Sequence, residues 1–286
     1  MPWEPIRIGR RTFGPPGPYV MGVLNVTPDS FSDGGRYLDP EEAVRHALRI
    51  ASEGADLLDV GGESTRPGAA PVDASEELER VMPVLERLRA LSFPLPVSID
   101  TSKAEVARAA ISAGAAMVND VRGLADPSLA RLVAESGVPV VLMHMRGSPR
   151  DMQTRAAYRD VVPEVRAELA SALVAAVRLG VAKERIVLDP GLGFAKTAEQ
   201  SLELLARLGD LHSLGRPLLV GPSRKSFLAA ASGASVGERL PATLAAVTAA
   251  VLSGTAFVRV HDVAAARQAA RLAAALRQAG GGRPAS

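Results

Sequence analysis

Eight short apolar runs, each followed by a longer amphipathic stretch, recur along almost the whole of this 286-residue chain. No other feature constrains the fold as strongly. The runs predict strands over 19–24, 56–60, 97–100, 116–119, 138–143, 186–189, 218–221 and 257–260. Each is short and nearly continuous in Val, Ile and Leu, as parallel strands covered on both faces must be. The stretches between them predict helices over 40–53, 75–91, 103–113, 127–136, 160–179, 198–211, 240–252 and 262–278. Glycines at 54, 114, 137, 180, 215 and 254 stand just past helix ends, where a left-handed cap is cheap for a residue without a side chain. Eight such units in one chain of this length fit a closed (β/α)8 barrel, the TIM barrel. A doubly wound open sheet would need a strand-order switch, and the even spacing favours the barrel. Residues 6–13 predict a short N-terminal hairpin closing the bottom of the barrel. One domain over 1–279 is expected, followed by a disordered tail over 280–286, GGGRPAS, too polar and Gly-rich to pack.

Composition removes several function classes. At 47% hydrophobic and 22% charged residues the chain can bury a large core. Thirty-three basic against thirty-one acidic residues leave a net charge of +2, which makes no field for a polyanion, so no nucleic acid is expected as a partner. No cysteine is present, which excludes disulfides, thiolate metal sites and a thiol nucleophile, and fits a reducing, cytoplasmic setting. The N-terminus MPWEPIRIGRR has prolines and charges where a signal peptide needs an apolar core. The one charge-free stretch of membrane length, 240–258, contains Pro241, Gly254 and four hydroxyl residues, and reads as helix, turn and strand rather than a span. Among the basic residues lysine stands only at 103, 183, 196 and 225. In so arginine-rich a chain, a lysine marks a place where a compact ammonium is wanted.

The functional signal is positional. Nearly every predicted strand ends in a polar cluster: Asn25, Glu63 to Arg66, Asp100, Asn119, Met143 with His144, Asp189, Ser223 to Lys225, and Arg259 with His261. In a barrel these ends meet on one face, where barrel active sites lie. Polar loops alone explain one such residue, not eight clusters. Asp100, Asn119 and Asp189 suit a flat heterocycle with donor and acceptor edges, since Asp accepts two N–H groups and Asn offers both polarities. Asp100 is also a candidate helix cap, a role that Thr101 or Ser102 can fill instead. Asn25, Arg66, Arg259 and His261 come from neighbouring strands and form a candidate anion pocket beside the Gly61 and Gly62 amides, which implies a phosphate-bearing substrate. A helix is expected to start at Ser223, its free amides receiving a carboxylate, with Lys225 donating to a ring carbonyl.

Loops 27–36 (TPDSFSDGGR) and 63–70 (ESTRPGAA) read as lids. GLGFAKT lacks the glycine before Lys196 that a phosphate-binding loop requires. His46, His144 and His212 show no metal-ligand spacing, and His46 and His212 read as ordinary helix residues.

The motifs MGVLNVTPDSFSDGG (21–35), DVGGESTRPGA (59–69), SIDTSK (98–103), VNDVRG (118–123), VLMHM (141–145), LDPGLGF (188–194), SRKS (223–226) and RVHDV (259–263) together resemble the dihydropteroate synthase family. The similarity runs in order from residue 20 to 263. The resemblance implies a transferase of folate biosynthesis, joining a dihydropterin methyl diphosphate to p-aminobenzoate and releasing diphosphate. It implies that Asp100, Asn119, Asp189 and Lys225 hold the pterin, with Asp100, Lys225 and Arg66 in catalytic roles. Asn25, Arg66, Arg259 and His261 would hold the diphosphate, with a magnesium ion bound through it and Asn25. Thr65, Pro67, Phe194 and Ser223 would shape the p-aminobenzoate pocket, where sulfonamides would also bind. A homodimer is expected, with the helices at 240–252 and 262–278 as contact. Arg259→Ala is expected to weaken diphosphate binding and spare the free pterin.

Two positions depart from the GFGFGK common in the family: Leu192 and Ala195 stand in GLGFAK, near the p-aminobenzoate pocket. A catalytically silent pterin-binding paralogue would be expected to lose Arg66, Asp100 or Lys225, and none is lost. A methyltetrahydrofolate-dependent methyltransferase would have no use for both lid loops beside a diphosphate pocket.

Overall fold

A computed structural model describes residues 3–27, 39–66 and 68–281. Loop residues 28–36, Pro67 and the tail from 282 lie outside the described residues, so the first lid and the end of the expected tail are not part of the account below. In chain order the elements are β1 (Ile6–Ile8), β2 (Arg11–Phe13), β3 (Tyr19–Asn25), α1 (Pro40–Ser52), β4 (Leu57–Gly61), α2 (Ala74–Ala90), β5 (Val97–Asp100), α3 (Ala104–Ser112), β6 (Met117–Asp120) and α4 (Pro127–Ser136). Then come β7 (Val140–Met143), α5 (Val161–Arg178), β8 (Ile186–Asp189), α6 (Ala198–Ala206), β9 (Leu219–Val220), α7 (Ser226–Ser232), α8 (Leu240–Leu252), β10 (Phe257–Val260) and α9 (Val263–Ala279).

Strands β3 to β10 form one parallel sheet in the order β8-β7-β6-β5-β4-β3-β10-β9. A parallel bridge between Leu188 and Leu218 joins its two ends, so the sheet closes on itself as the (β/α)8 barrel expected from the sequence. The helices start where their caps dictate. Asp39, Asp73 and Asp126 accept from the backbone amides of Glu41, Glu76 and Ser128, and Thr197 with Gln200 forms a reciprocal capping box. All six glycines placed after helix ends have positive φ.

Strand alternation sorts the side chains into two cores. Outward residues such as Val20, Leu24, Leu58, Val60, Ile99, Val118, Leu142, Leu188 and Val260 pack under the helices. Inward residues at the N-terminal end, among them Met21, Leu57, Met117, Val141, Val187, Leu219 and Phe257, form a separate cluster with Ile6, Ile8 and Phe13 of the antiparallel hairpin β1–β2. The hairpin therefore plugs the bottom of the barrel. One step further along β4, β6, β8 and β10 the inward position turns polar, at Asp59, Asn119, Asp189 and Arg259.

Two helix expectations need correction. The stretch 198–211 is α-helical only to Ala206 and continues as 3-10 turns over Leu208–Leu214. The helix after β9 begins at Ser226, not Ser223, because Arg224 sits at φ 58 and Lys225 is extended as its N-cap. A left-handed residue breaks the helical run, so Ser223 has no helix amides to offer. Residues 240–258 do form helix, turn and strand, and no described helix is long and apolar enough to cross a membrane.

Candidate active site

The polar layer follows from register. Asn25 pairs with Gly61, Gly61 with Asp100, and Asp100 with Asn119, so three of the expected site residues stand at one level on β3, β5 and β6. Gly61 lacks a side chain where a Cβ would come within 3.3 Å of the Asp100 Cβ. Asn119 and Asp189 are buried, while Asn25, Asp100, Lys225, Arg259 and His261 are half-buried at the barrel mouth.

Charge organises this layer around Arg259. Its Nε donates to Asp59 Oδ2 and its Nη2 to Asp100 Oδ2, both at 2.7 Å. Asn119 Nδ2 also donates to Asp59 Oδ2 at 2.9 Å. The expected heterocycle and anion residues therefore share one network, with Asp59 joining them. Asp59 is fully buried, and its Oδ1 has no partner among the described residues. Burial, with Asp59, Glu77 and Asp120 nearby, pushes the Asp100 carboxyl up to about 7 against the pull of Arg259. Desolvation likewise raises Asp189, whose Oδ1 accepts from Gly191 N at 2.7 Å.

Lys225 reaches across the mouth. Its Nζ donates to the Leu192 carbonyl at 2.5 Å and lies 4.3 Å from the Phe194 ring centroid. Burial brings its pKa down to about 8 despite the neighbouring Asp189. On the β9–β10 side Ser223 Oγ bonds His261 Nδ1 at 2.9 Å, and Arg224 grips Asp262 through two bonds. Desolvation, then the positive charges of Arg259, Arg224 and Arg66, lower His261 to about 4. Arg66 itself is exposed.

A cavity of about 460 Å³ opens beside this layer rather than over it. Among the described site residues only Thr65 lines it, together with Glu63, Lys103, Arg122 and Ser148. Leu192 also differs from expectation. Its side chain is fully buried in the outer core and its carbonyl, not its side chain, faces Lys225. Ala195 is buried with φ 50, a conformation in which glycine carries no strain.

Three features escaped the sequence reading. Asp59 lies in mid-strand rather than at a strand end; a charge inside DLLDVGG was the signal. Lys103 is clamped by Glu63 Oε2 at 2.7 Å and by buried Glu77 at the base of the second lid loop. Lys196 is buried against His144. Both lysines were marked by their rarity. Among the described residues no group of three or more His, Asp or Glu side chains forms a metal cage.

A closed barrel whose mouth gathers carboxylates, an amide and an arginine into one hydrogen-bonded network has the make-up of a barrel enzyme's active site. The chain belongs to the pterin binding enzyme family, whose profile matches residues 21–261. It is 47% identical over 246 residues to the dihydropteroate synthase of Escherichia coli K12, covering 86% of this chain and 87% of that one. The structure of Xanthomonas albilineans dihydropteroate synthase with 4-aminobenzoic acid superposes with a TM-score of 0.90 at 47% identity, over 96% of this chain and 98% of that chain. Dihydropteroate synthase from Yersinia pestis, in a sulfonamide drug complex, superposes with a TM-score of 0.90 at 42% identity, covering 96% and 100%.

Proposed function

We infer that this transferase condenses 6-hydroxymethyl-7,8-dihydropterin diphosphate with p-aminobenzoate, giving 7,8-dihydropteroate and diphosphate in folate biosynthesis. The observation that carries the reading is the Arg259 bridge from Asp59 to Asp100, with the cationic surroundings of His261 on one side and the carboxylates on the other.

This division of charge suits a dissociative displacement. The C–O bond to diphosphate breaks first and the leaving group takes the electron pair. The cation left on the exocyclic carbon is conjugated with the pterin and stabilised by Asp100, while Arg66, Arg259 and His261 hold the departing anion. The arylamine nitrogen then forms the C–N bond and loses its proton to water, so no strong general base is required. Asn119, Asp189 and Lys225 hold the pterin edge. Thr65, Phe194 and Ser223 shape the p-aminobenzoate pocket, which sulfonamides also fit.

Magnesium fits the donor set as an ion arriving on the diphosphate. Asn25 offers one neutral oxygen at the mouth, and Mg²⁺ commonly takes few protein ligands plus substrate phosphates. The ion would supply neutralisation of the leaving group's charge. The protein is read as a cytoplasmic homodimer, the exposed Leu240, Leu252, Leu272 and Leu276 of α8 and α9 forming the contact. Sedimentation of Leu272→Arg/Leu276→Arg as a dimer indistinguishable from the parent would remove that interface.

The deciding measurement is diphosphate release from purified protein given the pterin diphosphate, magnesium and p-aminobenzoate, each omitted in turn. Magnesium-dependent release with formation of dihydropteroate is expected. Tight pterin binding without turnover would leave a silent pterin binder instead.

A further inference from the structure

The loop over 189–195 is held between two lysines. On its mouth side Lys225 takes the Leu192 carbonyl and lies over Phe194. On its far side Lys196, only 3% exposed, donates to Gly191 O at 3.1 Å, Phe194 O at 3.0 Å and His144 Nδ1 at 2.9 Å. An ammonium has three protons, and here each has one acceptor. The loop is bent by positive φ at Gly191, Gly193 and Ala195, and it presents the Leu192 carbonyl to Lys225 and the Gly191 and Phe194 carbonyls to Lys196. At Gly191 a Cβ would fall 2.0 Å from the His144 carbonyl oxygen, so the loop cannot approach His144 with any other residue there. Behind Lys196, His144 Nε2 lies 2.9 Å from Glu168 Oε2, and Glu168 is in turn bound by Arg146.

We propose that Lys196, backed by His144 and Glu168, is the positioning residue that sets Phe194 and the Leu192 carbonyl against Lys225 for the p-aminobenzoate half of the reaction. The proposal rests on the dihydropteroate synthase reading above. Lys196 does not touch substrate; it acts through the loop. His144 accepts from Lys196 at Nδ1 and therefore carries its proton on Nε2, aimed at Glu168. The imidazole, held by burial near 4, is neutral and passes the influence of an anion to the buried ammonium. Glu168 is pulled down to about 2, first by the bond from His144, and remains anionic throughout the working range.

The groups facing Lys196 are His144 and Arg146 after β7, Glu168 on α5, Asp189 on β8 and Lys225 before α7. Burial outweighs them and lowers Lys196 to about 7. Above that pH the amine has two donors for three acceptors, and one loop carbonyl is released. The p-aminobenzoate KM then rises with pH; Asp100 and Lys225 titrate in the same range in parent and variants alike, so the signature of Lys196 is the displacement of that rise when its anion is removed. p-Aminobenzoate itself has no group titrating in this range.

Steady-state kinetics of the full chain test this, with each substrate varied at saturation of the other from pH 6 to 9. Lys196→Met removes all three of these bonds and, by releasing the loop, is expected to raise the p-aminobenzoate KM by about 10-fold. Its pterin diphosphate KM should stay within about twofold of the parent. Glu168→Gln, at a partly exposed helix position, is expected to fold normally. It should move the rise in p-aminobenzoate KM about one pH unit lower, because the ammonium loses its anion. Superposable pH profiles of Glu168→Gln and parent would overturn the role, as would parallel increases in both KM values for Lys196→Met. If Lys196→Met does not fold, the Glu168→Gln profile decides alone. A parent that makes no dihydropteroate overturns the activity itself, an outcome distinct from an active parent whose variants behave like it.

Discussion

Asp100 concentrates the chemistry into one side chain. Because its carboxylate acts on charge that exists only in the transition state, Asp100→Asn should lower kcat by roughly 10²–10³-fold while changing the pterin Kd little. Equal losses in turnover and affinity, measured by initial rates and calorimetry, would remove that role. The pH dependence has a definite sign. A carboxyl raised to about 7 is neutral below that pH, so turnover should climb as pH passes through 7, and the climb should vanish in Asp100→Asn. His261 gives an independent readout. It titrates near 4 because burial and three arginines oppose its charge; diphosphate in the pocket reverses that field, and its imidazole NMR titration should move upward on binding. A titration that stays put would place the anion elsewhere. These residues were legible because each interrupts an apolar run at a strand end. Asp59 was not, since only the closed barrel shows that its inward position meets Arg259 from β10.

At the scale of elements, the strands and the hairpin behave differently. Arg259 joins β10 to β4 and β5 through two largely buried carboxylates. Removing it leaves those charges unpaired, so Arg259→Ala should cost stability, about 3–5 kcal/mol by denaturant titration, as well as diphosphate affinity. The sequence suggested only the second effect. A midpoint unchanged from the parent would show that the carboxylates find another partner. The hairpin predicts the opposite separation. Phe13 is buried at the bottom of the barrel, away from the polar layer, so Phe13→Ala should cost about 3–5 kcal/mol and leave kcat and both KM values unaltered. Strand and helix positions followed from apolar period and caps. The short helix α7 was misplaced because nothing in GPSRKS marks Arg224 as left-handed; that conformation is imposed by its bonds to Thr243 and Asp262.

For the whole molecule, the closed ring brings the ends of eight strands to one mouth, so ligand binding is coupled to global stability. Pterin diphosphate with magnesium at 100 times its Kd should stabilise the fold by about 2.7 kcal/mol, seen as a rise in Tm. Chelation should abolish most of that rise for the diphosphate and leave the shift from pterin lacking diphosphate intact. An identical shift with and without chelator would count against an ion carried by the substrate.

Periodicity, caps and turn residues are local properties, and they determined the eight βα units, the plug and the polar character of the strand ends. The scarcity of lysine in an arginine-rich chain marked Lys103, Lys196 and Lys225, and equally Lys183, which is merely exposed. What only the tertiary structure decided is who pairs with whom: Arg259 with Asp59 and Asp100, His261 with Ser223, and Lys196 with His144 across 52 residues of sequence. Such partners depend on strand register and barrel closure, in which residues far apart along the chain come within hydrogen-bonding distance. No local pattern encodes that proximity. The same closure sets how deeply each group is buried, and so whether its charge is stabilised or suppressed.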